Sequence, residues 1–169
     1  MYPQPTNLWA RIEYSSLGTT IAESTWMFPT LEVIHVIALM TVIGTIAIVD
    51  LRLIGIASRD HRVSLLAKDL LPWTWGAFGL AAISGGLLFI SKANSYMINP
   101  WFLAKMSLMA LAGLNMLYFH MTSWRTAGQW EMDAPFPPAA RLAGWLSLFF
   151  WVVIVFCGRA IGFTLGIYY

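Results

Sequence analysis

Charge is scarce in this sequence. Only 11% of its 169 residues are Asp, Glu, Lys or Arg, against about 25% in soluble domains. The deficit excludes a globular domain with a fully solvated surface and points to lipid as the solvent. Neither sign is in large surplus. Ten basic against eight acidic side chains leave a net charge of +2, too little for phosphate-backbone recognition, so no nucleic-acid partner is expected. Cysteine is nearly absent. The single thiol, Cys157, lies in an apolar run, which excludes a disulfide framework and reads as a small buried hydrophobe. Residues 1–26 lack a basic stretch followed by an apolar core, so no signal peptide is expected. There is no nucleophile elbow, no phosphate-cradling glycine loop and no zinc-spaced pair, and Ser84 has no neighbouring base. The charged lining of a large ion channel is also missing.

What is present is apolar length, with 59% of the residues hydrophobic. Crossing about 30 Å of hydrocarbon takes roughly 20 helical residues, and four stretches qualify: 31–56, 70–91, 100–121 and 142–167. Prolines mark their starts. Pro29 precedes the first, Pro72 falls in the first turn of the second, Asn99-Pro100 opens the third, and Pro135, Pro137 and Pro138 precede the fourth; proline suits a first turn. An open sheet cannot satisfy its backbone in lipid. The expected fold is therefore all-α, an integral membrane four-helix bundle over residues 29–169. Residues 1–28 form an N-terminal segment. Within it, Leu8, Trp9, Ile12, Leu17 and Ile21 make an imperfect apolar stripe across 6–22, read as one short helix lying on the membrane surface.

Basic residues in short loops set orientation. Arg52, Arg59, Arg62 and Lys68 flank the first loop, 57–69, and Arg125 and Arg141 flank the third, 122–141; the opposite side has only Arg11 and Lys92. Those two loops are expected in the cytoplasm, with both termini outside, in the periplasm for a Gram-negative source. Trp73, Trp75, Trp101, Trp124 and Trp145 sit near span ends and read as interfacial anchors.

An ionisable residue inside a membrane helix is costly, and each is a functional candidate. Glu32, His35, Lys105 and Arg159 fall on the outer halves of their helices and are expected to form one polar cluster. Asp50, Arg52 and His120 fall at the inner ends. There His120 marks a separate cytoplasmic-side metal site, and Asp50 pairs with Arg52 or with a neighbouring helix. By rise per residue the two histidines lie roughly 25 Å apart along the membrane normal, so they do not share one iron. His35 is the candidate axial ligand of a haem, since neutral imidazole binds iron and a membrane bundle can sleeve a porphyrin. Lys105 and Arg159 fit as propionate counter-charges or as partners of Glu32. Gly158, Gly162 and Gly166 repeat every four positions, a ridge for close helix approach within the subunit or in a homo-oligomer. Gly76, Gly79, Ala82, Gly85 and Gly86 give the second span a similar smooth face. Met106, Met109 and Met116 leave open a soft-metal path for Cu(I).

The run Trp26-Met27-Phe28-Pro29, with Glu32, His35, Asp50-Leu51-Arg52-Leu53, Leu71-Pro72-Trp73-Thr74-Trp75, Asn99-Pro100-Trp101-Phe102 and Lys105, resembles an uncharacterised family of small four-helix bacterial inner-membrane proteins. More distantly, Ile34-His35-Val36-Ile37-Ala38 and Trp101-Phe102-Leu103-Ala104-Lys105 are similar to runs in the haem-containing membrane protoporphyrinogen IX oxidase. That resemblance implies b-type haem and key roles for His35 and Lys105. The layout also resembles copper-resistance D-type membrane proteins. The resulting expectation is a haem b membrane protein that handles electrons near the outer face and exchanges them with quinone or a redox partner protein. The alternatives are a non-catalytic subunit of a larger membrane complex and, more weakly, copper or proton transport.

Overall fold

A computed structural model of the chain describes residues 5, 7–57, 62–124 and 136–167. Arg59, Arg125 and Pro135, used above for orientation and helix starts, lie outside the described residues. The described residues form seven helices and no strand: α1 (Leu8–Glu13), α2 (Ser16–Glu23), α3 (Met27–Ile54), α4 (Val63–Ser91), α5 (Ala93–Ile98), α6 (Pro100–Met121) and α7 (Pro138–Thr164). Four of them, α3, α4, α6 and α7, are long and apolar enough to cross a membrane, the layout of a multi-pass membrane protein. Most of each span's surface faces outward, as expected where lipid rather than protein solvates it.

The ends of these helices follow local chemistry. The first span begins at Met27 rather than 31, because Pro29 fits inside a first turn whose N–H groups are unpaired in any case. It stops at Gly55, whose φ of 87° is left-handed backbone that favours glycine. Span α7 begins on Pro138 itself, four residues before the expected start, and ends at Thr164 rather than 167. Span α4 differs most: it starts at Val63, seven residues early, and carries Pro72 in its interior. Burial explains the extension. Val63 joins Leu53, Phe119, Phe136, Ala140 and Ala143 in a core cluster that closes one end of the bundle, while Ala67 is buried one turn further along.

Packing runs α4–α3–α7–α6. Each neighbour in that row is in contact, whereas α4 and α6 make no Cα approach within 8 Å among the described residues. Polar ties pin the row: Thr74 Oγ1 donates to Thr45 Oγ1 at 2.8 Å between α4 and α3, and Asn115 Nδ2 donates to the Ala143 carbonyl at 3.0 Å between α6 and α7. The gap between α4 and α6 is thus a cleft floored by α3 and α7.

The N-terminal stripe does not form one helix. Ser15 starts a second helix by accepting from Gly18 N–H at 3.2 Å, so the chain breaks into α1 and α2. Both pack on α4, and α1 also packs on α5. This docking buries Ile21 and leaves Leu8 and Leu17 exposed, so the stripe is divided between protein and surroundings. A Cβ at Gly18 would fall on the Glu13 carbonyl and come within 3.0 Å of the Ile90 carbonyl, so only glycine permits this approach. Glu13 Oε2 accepts from Asn94 N–H at 2.8 Å, which joins α1 to the start of α5.

Asn99 ties the same end together. Its side chain is fully buried. Its Oδ1 accepts from Trp101 N–H at 2.9 Å and its Nδ2 donates to Thr164 Oγ1 at 3.0 Å, so one residue caps α6 and fastens it to the end of α7. Asn99→Ala removes the cap and the crosslink and should destabilise the fold by about 2 kcal/mol. Reversible unfolding in mixed micelles measures this, and a loss below about 0.5 kcal/mol would mean that the crosslink contributes nothing beyond a solvated cap.

Candidate functional site

His35 lies in the third turn of α3, facing α4. Its Nδ1 is 3.0 Å from the Ala81 carbonyl and 3.1 Å from Ser84 Oγ. A carbonyl can only accept, so Nδ1 carries the proton. The Ser84 hydroxyl spends its own hydrogen on the Leu80 carbonyl at 2.7 Å, which leaves its oxygen free to accept from His35 as well. In the neutral ring the Nε2 lone pair is therefore the available base. The expectation that Ser84 has no neighbouring base is overturned, because the imidazole comes from another helix 49 positions away. Ser84 is nonetheless the acceptor in that contact, a poor arrangement for a nucleophile.

The ring rests on Gly85. A Cβ there would sit 2.8 Å from His35 Cε1 and 3.2 Å from Nδ1. The glycine-rich face of the second span is thus, at this position, a seat for an imidazole. Gly76, Gly79 and Gly86 have nothing within 4 Å of a built Cβ.

Lys105 approaches from α6. Its Nζ lies 3.9 Å from where a Cβ at Gly158 would be, beside Cys157 of α7, and its charge is felt at the His35 ring. His35 and Lys105 therefore converge from α3 and α6, two helices with no Cα atoms within 8 Å of each other among the described residues. The other two outer-half candidates are placed elsewhere. Arg159 is exposed, with its guanidinium 4.6 Å from the centre of the Phe163 ring. Glu32 is exposed and acts on Tyr96 of the short α5; burial, with this carboxylate adding to it, pushes the Tyr96 phenol up to about 12. Tyr96 belongs to an aromatic group with Phe89 and Phe102, and Trp9 of α1 joins it edge-on through Phe89.

At the opposite end, Asp50 is buried and hydrogen-bonded by Ser147 of α7. Arg52 is buried too, with its guanidinium 4.6 Å from the centre of the Phe136 ring. His120 is exposed, its Nδ1 donating to the Met116 carbonyl at 2.9 Å within its own helix. Both Asp50 and His120 line the α4/α6 cleft, a cavity of about 370 Å³ with almost wholly apolar walls. Met109 and Met116 also line it, whereas Met106 does not; Met106 and Met116 are both exposed.

No group of three or more His, Cys, Asp or Glu side chains able to hold a metal occurs among the described residues. A haem does not need one, because the porphyrin supplies four donors and the protein only one or two. The His35 geometry fits that demand. A ligating histidine characteristically donates its second ring N–H to a carbonyl or carboxylate, which fixes tautomer and ring plane, and Ala81 fills that role.

The expected glycine ridge divides, with Gly158 and Gly162 on α7 and Gly166 past its end. Gly158 faces Lys105, while Gly162 and Gly166 meet open space, so the ridge carries no helix contact there among the described residues. Cys157 is buried, as its apolar setting implied.

Among curated proteins and among solved structures, none matches the chain. Residues 9–164 match a family of unknown function (DUF6644), and the chain belongs to that family.

Proposed function

We propose that the protein is a b-type haem membrane protein that handles electrons, with His35 as the axial ligand of the iron. The carrying observation is the fixed tautomer of His35: with Nδ1 held by Ala81 and Ser84, Nε2 is left as the free base. Lys105 supplies a half-buried amine from α6, able to counter a propionate or tune a potential by its charge. Haem, when bound, supplies a one-electron couple; the chain's own part is to orient the imidazole and present the amine. Arg159 and Glu32, both exposed, are placed to meet groups at the rim. The partner in this reading is a quinone or a redox protein. The bacterial inner membrane is the proposed site, with the His35 end and both termini outside, supported by Arg52, Arg62, Lys68 and Arg141 gathering around the opposite end.

The absorbance spectrum of detergent-purified protein tests this. A Soret band that sharpens and shifts on dithionite reduction is expected, together with a pyridine haemochrome of the b type. Folded protein that stays colourless when expressed with ample haem overturns the reading.

A second reading, a non-catalytic subunit of a larger membrane complex, is favoured by Gly162 on α7 and Gly166 just past its end, both facing open space that suits a close-packed partner helix or a second copy. Cross-linking through cysteines placed at 162 and 166 distinguishes the two kinds of partner: self-adducts in native membranes indicate a homo-oligomer, heterologous adducts a complex.

A further inference from the structure

We infer that the cleft between α4 and α6 binds a quinol, with the ring between its aromatic walls and a ring hydroxyl donating to Asp50 Oδ2. The inference extends the electron-transfer reading, which names a quinone as one partner, but the binding itself requires no haem.

Three observations converge on that ligand. The first is an unpartnered acceptor. Asp50 is only 6% exposed and lines the cavity, yet its Oδ2 has no hydrogen-bond partner. A buried carboxyl oxygen without a donor is expensive, and a ligand that donates to it removes the cost. The second is the wall. Trp75, Phe78, Phe119 and Trp151 contribute aromatic rings to the lining, a surface that favours a flat ring over an acyl chain. Polar lining is so sparse that a zwitterionic or phosphate headgroup would bury its charges unpaired. The occupant's head is therefore uncharged and a donor, which a hydroquinone is. The third is size and access. About 370 Å³ falls within the range of small-molecule sites. No Cα of α4 comes within 8 Å of α6 among the described residues, so between the Phe89–Phe102 ring stack at one end and the Val63–Phe119 cluster at the other the cleft has a side where an apolar tail can leave toward lipid.

Gly113 offers a clean way to block the site. It lines the cavity, and a Cβ there meets nothing within 4 Å, so Gly113→Leu extends a side chain into the cleft from a position where its first carbon is accommodated freely.

The test is equilibrium binding of tritiated decylhydroquinone and of its dimethyl ether, measured anaerobically in micelles and corrected for partition into protein-free micelles. The ether keeps ring and tail and loses only the donors. The purified protein should bind the hydroquinone about tenfold more tightly than the ether, the discrimination expected for one hydrogen bond to a buried acceptor. Asp50→Leu should bring the two affinities together, and Gly113→Leu should abolish binding of both. The same titration on His35→Ala should be unchanged, which keeps a failure of this site distinct from a failure of the haem reading. Equal binding of hydroquinone and ether by the unaltered protein would overturn the inference in favour of a lipid chain. Tighter binding of decylamine than of decylhydroquinone would overturn it in favour of a cationic amphiphile. Neither outcome depends on whether the Asp50 variant folds.

Discussion

His35→Ala should remove the Soret band completely while leaving the four-helix fold in place. The two halves of that expectation have separate causes. Loss of colour follows because, in this reading, His35 supplies the iron's axial bond and no second histidine stands beside it among the described residues: His120 lies at the other end of α6, in the last turn. Retention of the fold follows from what the imidazole leaves behind. The Ala81 carbonyl lies inside α4, and Ser84 still donates to Leu80, so no polar group is stranded. Side-chain hydrogen bonds between membrane helices contribute about 0.6 kcal/mol on average. With two acceptors lost, the stability change should stay near 1 kcal/mol. Haem per polypeptide from the pyridine haemochrome, read alongside circular dichroism and gel filtration, separates the two quantities. A variant that keeps its full band would remove His35 from the iron and make His120→Ala the next measurement, since His120 also has Nδ1 tied to a carbonyl.

The spans and the site differ in how far the sequence reveals them, and the difference is physical. A span is a local property. The third is legible to the residue, 100–121, because Asn99 and Pro100 state its start and the apolar run sets its length. The early start of α4 is not legible, because Val63 is held by a cluster drawn from α3, α6, α7 and Phe136 and Ala67 is buried one turn on, against the charges at Arg62, Lys68 and Asp69. The six-residue α5 has too little periodicity to be seen, and its first turn depends on Glu13 of α1. The convergence of His35 with Lys105 follows from matched depth and was readable. Depth alone does not give rotation about a helix axis, which is why Arg159 and Glu32 share the level of His35 yet turn away from it. Ser84 and Gly85 were unreadable as site residues for the same reason: one hydroxyl and one glycine in an apolar span acquire meaning only when a neighbouring helix brings an imidazole to them.

Gly85→Ala should strip haem affinity from a protein that becomes no less stable. Alanine is the better helix former, by about 1 kcal/mol in a helix interior, so the backbone of α4 gains from the change. The new methyl, however, would stand 2.8 Å from His35 Cε1 and 3.2 Å from Nδ1, inside van der Waals contact at about 3.5 Å. Relief requires the imidazole to retreat from α4. Its bonds to Ala81 and Ser84, at 3.0 and 3.1 Å, stretch past useful length as it does so. The ring then loses the contact that sets its tautomer and plane, a loss that lowers metal affinity by roughly 10–100-fold. Gly86→Ala is the matched control, one residue along the same helix, with nothing within 4 Å of its new methyl. It should share any gain in helix stability and leave haem affinity unchanged. Haem titration of the two apoproteins, paired with their melting temperatures, reads the separation directly. If both alanine variants bind haem alike, the imidazole tolerates displacement, and its pairing with α4 is packing rather than preparation for a ligand.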